Sequence, residues 1–282
     1  MNADADEAAR GRANVLYSRA ESYFNLDRND AAIADLTEAI TLVPGMARAW
    51  RMRGECHRLN DRYDAALSDF DEALKLEPDS AFSIGSRGQV YAALDRPEEA
   101  LADFEHALTL APGEHWILDS RAGLLADLGR WDESLTDLTK LIELDGESAR
   151  SWSRRGDLYY RMDLYTEALD DFTQALRVEP GSVRALTGRG DTLRMLDRDE
   201  EALADLTSAV QLAPDNASAL ASRGATLADL ERFEEAMADL DRAVEAAPGY
   251  AWAYQVRGGV LQTLDRHEEA VADFTRALDL EP

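Results

Sequence analysis

Apolar and small residues recur three and four positions apart along almost the whole chain, as in Trp152, Gly156 and Tyr159, then Ala168, Phe172, Ala175 and Leu176. That spacing lines up one face of an α-helix. Short polar breaks such as Leu94-Asp95-Arg96-Pro97 separate paired stretches, and the second stretch of each pair ends just before a proline, where helices stop. The pattern therefore predicts helical hairpins. Prolines stand at Pro44, Pro78, Pro112, Pro180, Pro214, Pro248 and Pro282, every gap a multiple of 34, with Gly146 in the missing slot. Counting back from them gives an acidic N-terminal extension, 1–12, and eight repeats: 13–46, 47–80, 81–114, 115–148, 149–182, 183–216, 217–250 and 251–282. A lone hairpin leaves an apolar face bare, so eight in tandem predict one elongated all-α solenoid in which neighbours cover one another.

Within the repeats, Trp50, Gly54, Ala66, Phe70, Ala73 and Pro78, or Trp152, Gly156, Tyr159, Ala168, Phe172, Ala175 and Pro180, resemble the tetratricopeptide repeat signature. The resemblance covers nearly the whole chain in period, spacing and residue type. It implies antiparallel helix pairs wound into a right-handed α-solenoid superhelix, whose first helices line a concave groove that takes a peptide or partner segment.

Two charged positions stand outside that signature. The seventh residue of every repeat is arginine, from Arg19 and Arg53 through Arg155 to Arg257, and the twenty-third is aspartate, from Asp35 and Asp69 through Asp171 to Asp273. Both sit beside packed positions, where a charge requires an opposite charge and hydrogen bonds, and the guanidinium fork suits a carboxylate. Eight Arg to Asp pairs are expected. The spacing allows each pair to lie within one hairpin or to bridge two.

Positions 2, 5, 6, 9, 12 and 13 of a repeat fall opposite the packed stripe, on the face that lines the groove in the family. They carry eight arginines, Arg48, Arg51, Arg58, Arg150, Arg154, Arg161, Arg184 and Arg194, against the seven acids Glu21, Glu55, Asp119, Asp127, Asp157, Asp191 and Asp229. Large apolar groups are interspersed, among them Tyr17, Phe24, Met52, Phe82, Trp116, Tyr160, Met195, Trp252 and Val256. Arginine pairs carboxylates bidentately and aromatics anchor side chains, so this face predicts a protein or peptide partner with acidic and apolar residues. The expected contacts are Arg48, Arg51, Met52, Arg58, Phe82, Trp116, Arg150, Arg154, Tyr160, Arg184, Arg194 and Trp252. Tyr17, Glu21 and Met52 stand where a subgroup of the family carries a Lys and Asn clamp for a partner's terminal carboxylate, which argues against chaperone-tail binding.

Charge and composition narrow the partner further. The 282 residues hold 56 Asp plus Glu against 30 Lys plus Arg, a formal charge of −26, which disfavours nucleic acid and anionic membrane surfaces. Half of the acids fill recurring slots, and most of those mark the turn and the start of the second helix, where the helix dipole favours them. No apolar run approaches the roughly 20 residues of a membrane span, and the acidic start does not resemble a signal peptide. With a single cysteine, Cys56, this predicts a cytoplasmic protein without disulfides. His57, His106, His115 and His267 have no metal-ligand spacing, Cys56 and His57 point about 100° apart on a helix, and no nucleotide or hydrolase motif occurs. No cofactor, metal or catalytic set is expected.

The expectation is a non-enzymatic scaffold that binds a partner segment in its groove. The alternatives are a sensor or regulatory arm of a larger signalling enzyme and a solenoid that self-assembles through its last hairpin. The chain stops at Pro282 without the polar helix that usually shields that hairpin, so Val271, Phe274 and Leu278 are expected to be partly uncovered.

Overall fold

The computed structural model describes residues 3–280, the side chains of residues 3–5 excepted. The ends of the 1–12 extension and of the last repeat, Met1, Asn2, Glu281 and Pro282, lie outside the described residues. Sixteen α-helices and no strand occur among the described residues. The chain divides into two compact bodies, Met1–Asp137 and Leu138–Pro282. The first holds α1 (Ala3–Phe24), α2 (Asn29–Leu42), α3 (Ala47–Leu59), α4 (Tyr63–Leu76), α5 (Ala81–Ala93), α6 (Pro97–Leu110), α7 (His115–Asp127) and the start of α8 (Trp131–Leu144). The second holds the rest of α8, α9 (Ala149–Arg161), α10 (Tyr165–Val178), α11 (Val183–Met195), α12 (Asp199–Leu212), α13 (Ala217–Asp229), α14 (Phe233–Ala246), α15 (Ala251–Thr263) and α16 (His267–Leu280). The described part of the acidic extension is helical and runs straight into the first repeat as α1.

In each body the helices pair into hairpins, and each hairpin stacks on the next through its second helix. First helices also touch one another, α3 with α5 and α5 with α7 in one body, α9, α11, α13 and α15 in sequence in the other. The first helices of each body thus share a continuous face.

The turn inside each hairpin explains one of the acidic slots. In the second hairpin the Arg62 N–H reaches the His57 carbonyl at 2.9 Å and the Asp61 N–H the Arg58 carbonyl at 3.1 Å, the paired bonds of a Schellman cap. Its left-handed residue is acidic in seven repeats: Asp27, Asp61, Asp95, Asp163, Asp197, Glu231 and Asp265 all have φ between 55° and 59°. In the remaining repeat Gly129 takes it at φ 72°. Aspartate tolerates this conformation better than most residues. The acids at this position therefore answer a backbone demand, and the helix dipole accounts only for those that follow, such as Glu98, Glu99, Glu200 and Glu201 in the first turns of α6 and α12.

Helix crossings are closed by small residues against large ones. A Cβ added to Gly156 would sit 3.1 Å from the Phe172 ring, and one added to Gly54 3.1 Å from Phe70. Where the crossing holds the alanine Ala20, the opposing core residue is Leu36 in place of phenylalanine. Leucine also faces the glycines Gly190 and Gly224, as Leu206 and Leu240, so each crossing sets a small residue against a large one without a fixed volume.

All eight arginine and aspartate pairs form, each within its own hairpin and each bidentate. Arg155 Nε and Nη2 donate to the two Asp171 oxygens at 2.7 and 2.9 Å, and Arg53, Arg87, Arg121, Arg189, Arg223, Arg257 and Arg19 repeat the geometry with Asp69, Asp103, Asp137, Asp205, Asp239, Asp273 and Asp35. In four of them the third nitrogen reaches back to the preceding hairpin. Arg53 Nη1 donates to Thr37 at 3.0 Å, Arg87 to Asp71 at 2.7 Å, Arg155 to Thr139 at 3.1 Å and Arg257 to Asp241 at 2.8 Å. The pair therefore lies within a repeat and the bridge runs between repeats. Aromatic rings cover several guanidiniums, Trp50 at 4.9 Å from Arg53 and Trp152 at 5.2 Å from Arg155, while Trp50 and Trp152 in turn donate to the Pro44 and Gly146 carbonyls.

Burial sets what each rung contributes. The Arg155 and Asp171 side chains are 16% and 5% exposed, whereas Arg19, which opens the ladder, is 58% exposed. Removing one partner of a buried pair strands the other charge, so Arg155→Ala or Asp171→Ala should each cost about 3–5 kcal/mol in chemical denaturation. Arg19→Ala should cost clearly less. Equal losses at the two rungs would show that burial is not the cause.

Candidate functional site

In the N-terminal body the shared face of the first helices bears an apolar hollow. Tyr17 and Phe24 from α1, Arg51, Met52 and Glu55 from α3 and Phe82 from α5 line a cavity of about 320 Å³. Phe82 is 43% exposed, stands 5.6 Å from Trp116 on α7, and lies 5.5 Å beneath the Arg51 guanidinium. Arg58 donates through Nε and Nη2 to Glu55, and Arg48 donates to Asn14 at 2.6 Å while covering the Tyr17 ring at 4.5 Å. Burial raises the Tyr17 hydroxyl above its ordinary pKa. The structure thus gathers Arg48, Arg51, Met52, Arg58, Phe82 and Trp116 along one stretch of this body, with Tyr17, Phe24 and Glu55 completing the hollow.

The corresponding face of the C-terminal body is more polar. Arg184 donates through Nε and Nη2 to one Asp157 oxygen, and Arg194 Nη1 donates to Asp229 at 3.3 Å. Asp191 accepts from the Ser222 hydroxyl at 3.0 Å. Tyr160 packs edge-on against Tyr165 at 5.6 Å, and Trp252 lies 6.0 Å from Tyr250. Arg150 is exposed and Arg154 half-buried, the latter near enough to Asp157 to favour its charged form. Burial nevertheless outweighs Arg184 and Arg154 and lifts the Asp157 carboxyl above its ordinary range.

Several arginines assigned from sequence to a partner's carboxylates are already held by this chain, Arg58 by Glu55, Arg184 by Asp157 and Arg194 by Asp229. Sequence spacing did not reveal these pairs because two of them join helices 27 and 35 residues apart across a packing interface. Thr187, Ser222, Phe233 and Gly259, all on or beside this face, carry no motif that would single them out. Their signal is a break in the repeat: the ninth position runs Asp157, Asp191, Ala225, Gly259, losing its side chain along the body.

Catalytic chemistry finds no foothold around Cys56. Its buried thiol is pushed up to about 12 by burial, and burial lowers the pKa of neighbouring His57, so neither takes the charged form that a thiolate–imidazolium pair needs. Among the described residues no group of three or more His, Cys, Asp or Glu is placed to hold a metal ion, and no helix is long and apolar enough to cross a membrane.

The tetratricopeptide repeat profile matches residues 17–81, 121–170, 153–217 and 200–251, and a second profile of the same description matches 83–114 and 253–282. No curated protein matches the chain. Among solved structures, a tetratricopeptide repeat protein from Parabacteroides merdae is similar at 19% identity and a TM-score of 0.69, over 89% of this chain and 99% of that one. PilF of Pseudomonas aeruginosa is similar at 19% identity and a TM-score of 0.63, over 73% of this chain and 94% of that one. At these identities the likeness is one of fold.

Asp191 is the most perturbed carboxyl of the face. The residue as a whole is part-buried, but its Oδ1 is shut off from solvent, and this raises the carboxyl to about 6 against the opposing Ser222 bond and the nearby Arg194. Asp157, Tyr160 and Tyr250 are the other titratable groups within its field. A folded pKa above the unfolded one means that the folded state holds more protons between about pH 4 and 6, so this group makes folding weaker as pH rises through that window and has no further effect above it. Asp191→Asn should therefore match the parent at pH 4 and exceed it by up to about 3 kcal/mol at pH 7.5. Urea titrations at the two pH values check this, and a difference that did not change with pH would contradict it.

Proposed function

This chain belongs to the tetratricopeptide repeat family, and we propose that it is a non-enzymatic scaffold that holds a partner's polypeptide segment against the first-helix face, in the groove of its solenoid. The observation that carries this reading is the hollow around Phe82. A 43% exposed phenylalanine beside Met52, Tyr17 and Phe24 leaves apolar surface in water that Trp116 and Arg51 only partly cover, as binding surfaces do. The proposed contacts remain Arg48, Arg51, Met52, Arg58, Phe82, Trp116, Arg150, Arg154, Tyr160, Arg184, Arg194 and Trp252, which fall in six of the eight repeats read from sequence. Because Arg58, Arg184 and Arg194 are bonded within the chain, the partner's apolar residues carry more of the recognition than its acids. The cytoplasm, as the place of such a partner, belongs to this reading too.

Phe82→Glu places a charge in the hollow at a position exposed enough to leave the fold intact. Affinity capture from the source cell should recover at least tenfold less partner with Phe82→Glu than with the parent. Unchanged recovery would remove the hollow from the function.

A second reading, self-association, rests on the last hairpin. Val271 and Leu278 of α16 are 64% and 72% exposed, two large apolar side chains a second copy would cover. Sedimentation of the parent should then show a concentration-dependent dimer that Val271→Glu abolishes; monomer throughout would reject it.

A further inference from the structure

Buried polar atoms nearly always find a partner, and each exception asks for a reason. Of the six such atoms without one among the described residues, three belong to a single helix face: Thr187 Oγ1, Asp191 Oδ1 and Arg194 Nε. Their spacing of four and three residues aligns them along α11. These are positions of the first-helix face, so one unmet atom each of a hydroxyl, a carboxylate and a guanidinium form a row beside the candidate binding surface.

The row ends at a pocket. A cavity of about 330 Å³ opens next to Arg194, with Ala225 and Gly259 as its floor and Phe233, Trp252 and Val256 as its walls. The floor is low because the ninth position, acidic in α9 and α11, shrinks to alanine and then glycine; around a Cβ added to Gly259 there is nothing within 4 Å. The pocket has room for one bulky apolar side chain.

The charges around the row select its occupant. An anion would face Asp157, Asp191 and Asp229, and a cation would face Arg194, so neither suits the site. The unmet carboxylate oxygen needs a donor, the unmet Nε–H needs an acceptor, and the hydroxyl serves as either. A residue of an extended chain turns one of each, its N–H and its C=O, to the same side. The three atoms are closed to solvent, so a ligand reaches them by displacing Arg194 at the pocket's edge, at the cost of its bond to Asp229, a long one for an ion pair at 3.3 Å, and of its hydrogen bond with Tyr160.

We propose that the Thr187, Asp191 and Arg194 face of α11, with the pocket beside it, binds an uncharged stretch of extended polypeptide. One residue of that stretch donates its own N–H to Asp191 and accepts the Arg194 Nε–H at its own carbonyl oxygen, the two groups that an extended residue turns to the same side, while a bulky apolar side chain next to it enters between Trp252 and Phe233. This rests on the scaffold reading above and names what the C-terminal body recognises.

The test is selection of displayed random dodecapeptides on the full chain, followed by anisotropy titrations of the selected synthetic peptides. The retained peptides should share a bulky apolar residue. Gly259→Leu, which fills open space, and Arg194→Met, which removes the donor, should each weaken them about tenfold, the scale of one lost anchoring interaction. N-methylation should abolish binding at one backbone position, next to that apolar residue. Peptides bound equally by the parent and both variants, or indifferent to every N-methyl group, would overturn the proposal, as would the three atoms bonding only to ordered water in a peptide-bound crystal structure. If Phe82→Glu alone weakened the peptides, the scaffold reading would stand and this one fall; if the parent retained no peptide, both would fall.

Discussion

A guanidinium can sit against packed helices only if its N–H groups are occupied, and that requirement organises this molecule. In every repeat, Nε and Nη2 are taken by the aspartate sixteen residues on. In four repeats Nη1 is seen to take a threonine or aspartate of the preceding hairpin. In those four the arginine is a joint between three helices: its own, the second helix of its hairpin and the second helix of the hairpin before. A slip of either interface by one residue would leave a buried charge unmatched, so the pairing fixes register at both. Apolar stacking supplies the driving force for repeats to associate, but alanine and leucine faces tolerate sliding, and a bidentate pair does not.

Much of this was legible in the sequence, for a physical reason. A solenoid uses the same local geometry at every repeat, so helix, turn and packing demands reappear at a fixed interval and stand out from residues that vary. The seventh and twenty-third positions declared themselves as a pair in this way. The backward bridge did not, although the twenty-fifth position is threonine, aspartate or glutamate in all eight repeats, because hydroxyl and carboxylate there look like ordinary solvated helix surface. The fifteenth position was legible as acidic but not as left-handed; charge and backbone conformation give the same residue type, and only Gly129, where charge is absent, separates them.

The first-helix face was read less well, because its pairs follow no period. Arg184 meets Asp157, but Arg48, at the same place in its repeat, turns to Asn14 although Glu21 holds the position matching Asp157. Composition made this face nearly neutral within an acidic chain, and the structure shows how neutrality arises: arginines and acids of the face bind one another. The formal charge of −26 therefore acts at long range, repelling polyanions, and the proposed recognition at contact rests on apolar hollows and unmet hydrogen-bonding atoms.

Function in a repeat protein is thereby confined to where the repetition fails. Residues that recur through all eight repeats are consumed by helix crossings, caps and buried pairs, and a partner that touched them would have to disturb the stacking. The ninth position is free of that duty: it carries glutamate in α1 and α3, aspartate in α9 and α11, and then nothing larger than a methyl group in α13 and α15. Adjacent first helices bring a full-length acid and a missing side chain side by side, so a step in the face is unavoidable, and the polar atoms at the edge of that step lose the neighbours that would have satisfied them. The orphaned atoms of α11 and the pocket beside Trp252 are in this sense one feature with a single origin, the truncation of one column of side chains within an otherwise periodic wall.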